Sequence, residues 1–412
     1  MKKITRIQLS IMMFLEFFIW GGWFVTLGTF LGNNLQATQA QISTAFSTQS
    51  WGAIIAPFVI GLIADRYFNA EKILAVLHLI GAFLMYQMAY AEDFTTFYPY
   101  ILGYMIAYMP TLALVNSVSF NQMEDPAKEF SFIRVFGTIG WIVSGLAISL
   151  IFSWDSAEAI ENGMLKNTFL MTAAASAFLG IFSFFLPAAP PKADTGEKPN
   201  ISEILGLDAL KLLKSKNFLI FFVSSILISI PLAFYYQHLS PFLTDIEVGN
   251  STAKAAIGQA SEVLFMLLIP FFLKRYGIKM TLLMGMIAWG VRYLLFAYGN
   301  ADELSFMLMI GIALHGVCYD FFFVSGQIYT DSKAGEKFKS SAQGLITLAT
   351  YGVGMLIGFY AAGLISDAYI MSDGNRDWTG IWTVPAIFAF VVMILFAIFF
   401  RNEKIEKKDI EI

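Results

Sequence analysis

Five ionisable side chains stand inside long apolar runs of this chain: Glu16, Arg134, Glu262, Arg292 and Asp320. Such a group at the centre of a membrane helix costs about 2.5–3.5 kcal/mol on insertion scales, so each is a candidate for carrying a charge or a proton. Glu16 and Glu262 lie about 14 Å along their runs at ~1.5 Å rise per residue, too deep to reach either surface easily. Asp320, in "HGVCYDFFFVSG", lies nearer the end of its run. Desolvation favours the uncharged form of a carboxyl group unless a cation is close. These three carboxyl groups therefore suit a proton taken up in one state and given up in another. A structural pairing of Glu16 or Asp320 with Arg292 or Arg134 is the open alternative.

Arg134 sits in "SFIRVFGTIGW". The preceding "EDPAKEF" supplies a cap at Asp125 and Pro126 at a first helical position, so by depth alone Arg134 would reach back to water. Thr138 and Trp141 follow at i+4 and i+7, which puts a hydroxyl and a large ring on the same face. Gly137 and Gly140 flank that stripe and allow close helix packing. In "GQASEVLF", Gln259 and Glu262 share a face, and further on His315 and Tyr319 are four apart with Asp320 adjacent. Three such polar-aromatic faces suit an amphipathic ligand with hydrogen-bonding edges and a stackable ring.

The elements that carry these residues follow from composition. The 412 residues are 57% hydrophobic and 14% charged, with a mean hydropathy of +0.66, against roughly 25% charged in soluble domains. Helical spans need about 20 mostly apolar residues. That template finds twelve, near 8–31, 45–64, 73–91, 97–117, 130–152, 168–187, 217–242, 254–273, 280–298, 304–328, 341–366 and 379–400. The start, "MKKITRIQLSIMMFLEFFIW", reads as a retained first span, because its run continues to Leu31 without a small-residue cleavage site. Cys318 is the only cysteine, so no intrachain disulfide is expected. With a cytoplasmic N-terminus, 21 of the 26 Lys and Arg fall on inner segments, three on outer ones and two within spans. That bias places both termini in the cytoplasm.

The longest connection, "PAAPPKADTGEKPNISEILGLDALKLLKSK", divides the chain into a six-span half over 1–187, a linker over 188–216, a second half over 217–400 and a tail over 401–412. Ile204 to Leu213 suits a short helix on the inner membrane surface or a solvated linker helix. "GLIADRYFNAEK" after the second span and "FFLKRYGIK" after the eighth echo one another. Gly61, Asp65 and Arg66 of the first resemble the loop signature of the major facilitator superfamily, without its glycine after the arginine. That resemblance implies an all-α membrane fold of twelve helices, with parallel halves enclosing a midplane site. Spans three, six, nine and twelve would be outer supports, so Arg292 would stand away from the cavity.

More specifically, the chain resembles the nucleoside:proton symporter family of that superfamily. The resemblance runs through "FFIWGGWFVTLGTF", "YMPTLALVNSVSF", "FIRVFGTIG", "ILGLDALKLLK", "IPFFLKRYGIK", "RYLLFAYG", "YDFFFVSG" and "SAQG". It implies that Arg134 and Thr138 contact substrate, with Trp141 where a phenylalanine is usual. Gln259 and Glu262 would bind the nucleoside, Tyr319 would pack against it, and Asp320 would be the proton-linked carboxylate, with Glu262 and Glu16 as further proton carriers. His315 stands where nucleoside carriers have a tyrosine, and Glu16 where a glutamine is common. In the seventh span two polar contacts of the family fall on Ala233 and Tyr236, with Gln237 and His238 beside them.

The expected activity is proton-coupled nucleoside import by alternating access, in a bacterial inner membrane. A proton-coupled sugar or glycoside carrier of the same superfamily is the alternative. The expected partners are the nucleoside, protons and membrane lipid, with no nucleic acid, no cofactor beyond the coupling proton, and function as a monomer. No metal-ligand spacing, nucleophile motif or phosphate loop points to an enzyme.

Overall fold

Backbone in hydrocarbon has no water to bond to and must satisfy its own N–H and C=O groups, which a helix does within one segment. The computed structural model describes residues 2–59, 68–123, 126–190 and 207–403, and these are helical apart from short connections and one isolated bridge between Ile370 and Arg376. The helices of the first half are α1 (Lys3–Phe24), α2 (Gln39–Val59), α3 (Ala70–Ala89), α4 (Phe94–Phe120), α5 (Pro126–Leu146) and α6 (Lys166–Ser183). Those that follow are α7 (Lys216–Asp245), α8 (Ser251–Tyr298), α9 (Ser305–Ala313), α10 (His315–Tyr319), α11 (Ser325–Thr347), α12 (Met355–Ala368) and α13 (Trp378–Phe399).

Every predicted span overlaps one of these helices. Among the described residues nine helical stretches are long and apolar enough to cross a membrane, and α2 and α6 are not among them. One of the nine holds two predicted spans, because α8 is broken at Gly277, whose φ of 74° no α-helix contains. A second long helix also hides a reversal. Residues 16 apart in a straight helix stand about 24 Å apart, yet Gln343 Nε2 donates to Gln327 O at 2.8 Å and to Asp331 Oδ1 at 2.6 Å. The chain therefore doubles back within α11, between the tenth and eleventh predicted spans. Among the described residues four wider, π-helical turns stand at Phe30–Asn34, Ala147–Ile151, Asp320–Val324 and Leu348–Gly354.

Contacts divide the chain into two units, 1–204 with Gly249–Ala256, and 205–248 with 257–412. In the first, α1 packs on α5 and α6, α3 on α4 and α6, and α2 on α4. Asp93 caps α4 by accepting from Thr96 N–H at 2.8 Å, and that bond holds its carboxyl below the usual carboxylate range. The first turn of α8 is held in the same unit. Asp155 Oδ2 accepts from Thr252 N–H at 2.9 Å and from Ser149 Oγ at 2.5 Å, while Ser149 Oγ accepts from Ala253 N–H at 2.9 Å. Two backbone donors that a helix start leaves open are met in this way.

In the second unit α7 packs on α12 and α13. The linker's Leu207–Lys214 form a 3₁₀ helix. Its Ala209 is buried with Ala334, Ala342 and Leu345, and Leu212 packs on the same cluster. The expected interfacial helix is thus docked on protein through that face. The expected cap Asp125 and the first copy of the loop echo, from Gly61 to Tyr67, lie outside the described residues.

Candidate substrate and proton site

In the first unit the Arg134 face packs on α1. The Arg134 guanidinium lies 4.1 Å from the centroid of Phe17, and the rings of Trp141 and Trp20 are 5.6 Å apart. The glycines between them make this approach possible, since a Cβ on Gly140 would sit 2.1 Å from the carbonyl oxygen of Phe14. Arg134, Thr138 and Trp141 are all half-buried, so the face keeps open area besides what it packs.

Glu16 is fully buried and bonded to His78 and Thr111. Its Oε2 is 2.8 Å from His78 Nε2, and its Oε1 is 2.6 Å from Thr111 Oγ1. His78 Nδ1 meets Ser176 Oγ at 3.2 Å, and Ser176 Oγ donates to the carbonyl of His78 at 2.8 Å. Tyr108 OH donates to the Glu16 carbonyl at 2.7 Å. His78 was not among the expected site residues. It lies 62 positions from Glu16 on a predicted support helix, and no spacing links them.

In the second unit the expected Glu262 and Tyr319 meet at His315. The imidazole is buried, stacked on Tyr235 at 5.1 Å and 22°, with Tyr319 at 5.8 Å. His315 Nε2 stands 3.7 Å from Glu262 Oε1. Gly316 lets α8 come this near, because a Cβ there would be 2.5 Å from the backbone of Ser261, whose hydroxyl accepts from Gly316 N–H at 2.9 Å. Tyr319 OH bonds Tyr351 OH at 2.6 Å. Glu262 and Gln259, three apart on one helix, are half-buried, as is Tyr236 on α7.

Asp320 follows directly and is 0% exposed. Among the described residues neither carboxyl oxygen has a hydrogen-bond partner, and the Glu262 carboxylate acts on it electrostatically. In the seventh span the His238 ring is buried with Nε2 3.1 Å from the carbonyl of Ala362. Ala233 is buried as well, against the close approach of Gly358. Arg292, expected away from the site, is fully buried, with Nη1 2.9 Å from His315 Nδ1. Tyr235 and Tyr351 were also missed, since a lone tyrosine in an apolar run carries no positional signal.

Residues 2–405 match the family model described as nucleoside H+ symporter. The chain is 43% identical over 423 residues to YegT of Escherichia coli (strain K12), to which nucleoside transport is ascribed by name, covering 98% of each chain. It is 34% identical over 409 residues to the xanthosine permease of the same organism, over 96% of this chain and 95% of that one. A crystal structure of a mutant of nucleoside transporter NupG matches it with a TM-score of 0.88 at 31% identity, covering 96% of this chain and 100% of that one.

Proposed function

The chain belongs to the nucleoside H+ symporter family, and from that premise we propose that it imports a nucleoside together with protons by alternating access, as a monomer crossing the inner membrane twelve times. Arg134 and Thr138 contact the nucleoside from the first half, beside Trp141. Gln259 and Glu262 contact it from the second, with Tyr236, His315 and Tyr319 lining that side. Asp320 carries the coupling proton, and Glu262 and Glu16 are further stations for it.

The observation that carries this reading is Asp320, buried with neither oxygen hydrogen-bonded among the described residues. An ionised carboxylate in that setting costs several kcal/mol, whereas the neutral acid does not. Asp320 therefore takes up its proton before its surroundings close and releases it when water reaches it again. The Glu262 carboxylate acts on Asp320 electrostatically, and two like charges repel. Protonation favours the outward-facing state that captures nucleoside, and deprotonation inside accompanies release.

The test is uptake into vesicles under an imposed proton gradient, against uridine, xanthosine, nucleobases, sucrose and ribose. We expect accumulation of nucleosides alone. Asp320→Asn should still exchange bound nucleoside across the membrane but no longer accumulate it against a gradient. Full proton-driven accumulation by Asp320→Asn would remove Asp320 from the coupling role.

A further inference from the structure

Arg292 has no part in the scheme above, yet the second unit encloses it completely. Its guanidinium carbon lies 3.5 Å from the centroid of Tyr235, and Trp289 and Phe296 are 5.4 and 5.5 Å away. Such a ring of aromatic faces accommodates a planar cation. The one hydrogen bond between Arg292 and an imidazole runs from Nη1 to His315 Nδ1. A guanidinium has donors and no acceptor. Nδ1 must therefore accept, and the single proton of the ring is left on Nε2.

The other side of the ring selects the same form. Among the described residues His315 Nε2 is buried without a hydrogen-bond partner and stands 3.7 Å from Glu262 Oε1, beyond hydrogen-bonding range. The opposite tautomer would set N–H against N–H at Arg292 and a lone pair against a carboxylate at Glu262. With the proton on Nε2, a donor and an acceptor face one another across a gap too wide to close. One ligand group that accepts from the first and donates to the second would bridge it. A sugar hydroxyl does so, and so do the adjacent C=O and N–H of an oxo base. The other groups around the imidazole are Tyr235 from α7, Tyr319 on its own helix and, next in the chain, Asp320.

We propose that Arg292 is a positioning residue for substrate recognition: it locks His315 as the Nε2–H tautomer, so that His315 and Glu262 together bind a single accepting and donating group of the ligand. Only the identity of that ligand rests on the transport reading. The lock itself is tested without transport.

The chain has three histidines, so ¹⁵N-histidine NMR of the full protein in lipid resolves each, and the resonances lost in His315→Gln assign the third. We expect an unprotonated Nδ1 and a protonated Nε2 at His315. Arg292→Met should raise the share of the Nδ1–H form about tenfold, the worth of one hydrogen bond. Arg292→Lys, which keeps a donor, should hold the ring as it is. A protonated Nδ1 in the parent protein overturns the proposal outright, even if Arg292→Met does not fold, and an unchanged ratio in Arg292→Met does the same.

For the ligand half, His315→Asn, whose amide falls near Nδ1, should weaken half-saturation by uridine about tenfold more than His315→Gln, whose amide N–H falls near Nε2. Equal effects would show that His315 donates nothing to the ligand. Deoxyuridines lacking the 2′, 3′ or 5′ hydroxyl, and N3-methyluridine, locate the bridging group. The analogue without it no longer distinguishes Gln from Asn, and persistence of the difference with all of them removes the bridge.

Discussion

Between Glu16 and His78 one proton has two places to sit. Ser176 donates to the carbonyl of His78, so it accepts from Nδ1–H, and Nε2 is left to face Glu16. The pair is neutral overall whether it is imidazolium with carboxylate or imidazole with carboxylic acid. Thr111 adds a second choice, because its hydroxyl reaches both Glu16 Oε1 at 2.6 Å and the carbonyl of Tyr108 at 2.5 Å. With the acid proton on Oε1, Thr111 would turn its own to Tyr108, but Oε2 would then set a lone pair against Nε2 of a neutral imidazole. The neutral pair therefore keeps its proton between Oε2 and Nε2. Glu16→Gln preserves each of these bonds, so its thermal unfolding in detergent should stay within a few degrees of the parent. His78→Leu strands a buried carboxyl and should lose about 3–5 kcal/mol, seen as a much lower midpoint. Equal midpoints for the two variants would dissolve the pair as described. From sequence the depth of Glu16 was readable, because depth is a local count of residues. Its partner was not, because residues 62 apart meet only through tertiary packing.

At the scale of elements, the glycine stripe of α5 was legible in "FGTIG", and the structure shows what it serves: α1 and α5 touch backbone to side-chain position at Gly140. Gly140→Ala forces those helices apart and should cost about 1–3 kcal/mol, as overpacking does. Gly344→Ala, with nothing within 4 Å of the added carbon, should leave the midpoint unchanged. A Gly140→Ala protein as stable as Gly344→Ala would mean that α1 and α5 do not depend on this contact. Span positions were readable from apolar runs alone. The capture of the α8 start by Asp155 was not, since a loop aspartate 97 residues away has no local mark that makes it a cap.

Over the whole molecule, the charge asymmetry of the chain is its clearest global signal. On the twelve-span reading 21 of the 26 cationic residues would fall on one side, a bias that orients spans, and we expect both termini in the cytoplasm. With Cys318 buried, single cysteines can report this. A membrane-impermeant maleimide should label Asp373→Cys in intact cells and Asn402→Cys only after permeabilisation. The reverse pattern would invert the orientation. The second unit is fastened near its C-terminal end, where Asn217 exchanges two 2.8 Å hydrogen bonds with the backbone of Arg401, and Glu403 meets Lys333 and Tyr329. None of these pairings shows in the sequence, which marks the tail only as polar.

The wide turn that begins at Asp320 has a bearing on every helical wheel drawn through this segment. A turn closed by i to i+5 bonds holds one residue more than an α turn, and Ser325 Oγ donates to the Asp320 carbonyl at 3.2 Å within it. That surplus residue shifts the angular phase of the helix by about 100° relative to an uninterrupted one. His315 and Tyr319 before it, and Tyr329 and Thr330 after it, therefore belong to two separate rulings of the same rod. A stripe counted at regular spacing across Asp320 joins side chains that never share a side, and the aspartate stands at the seam where the counting restarts.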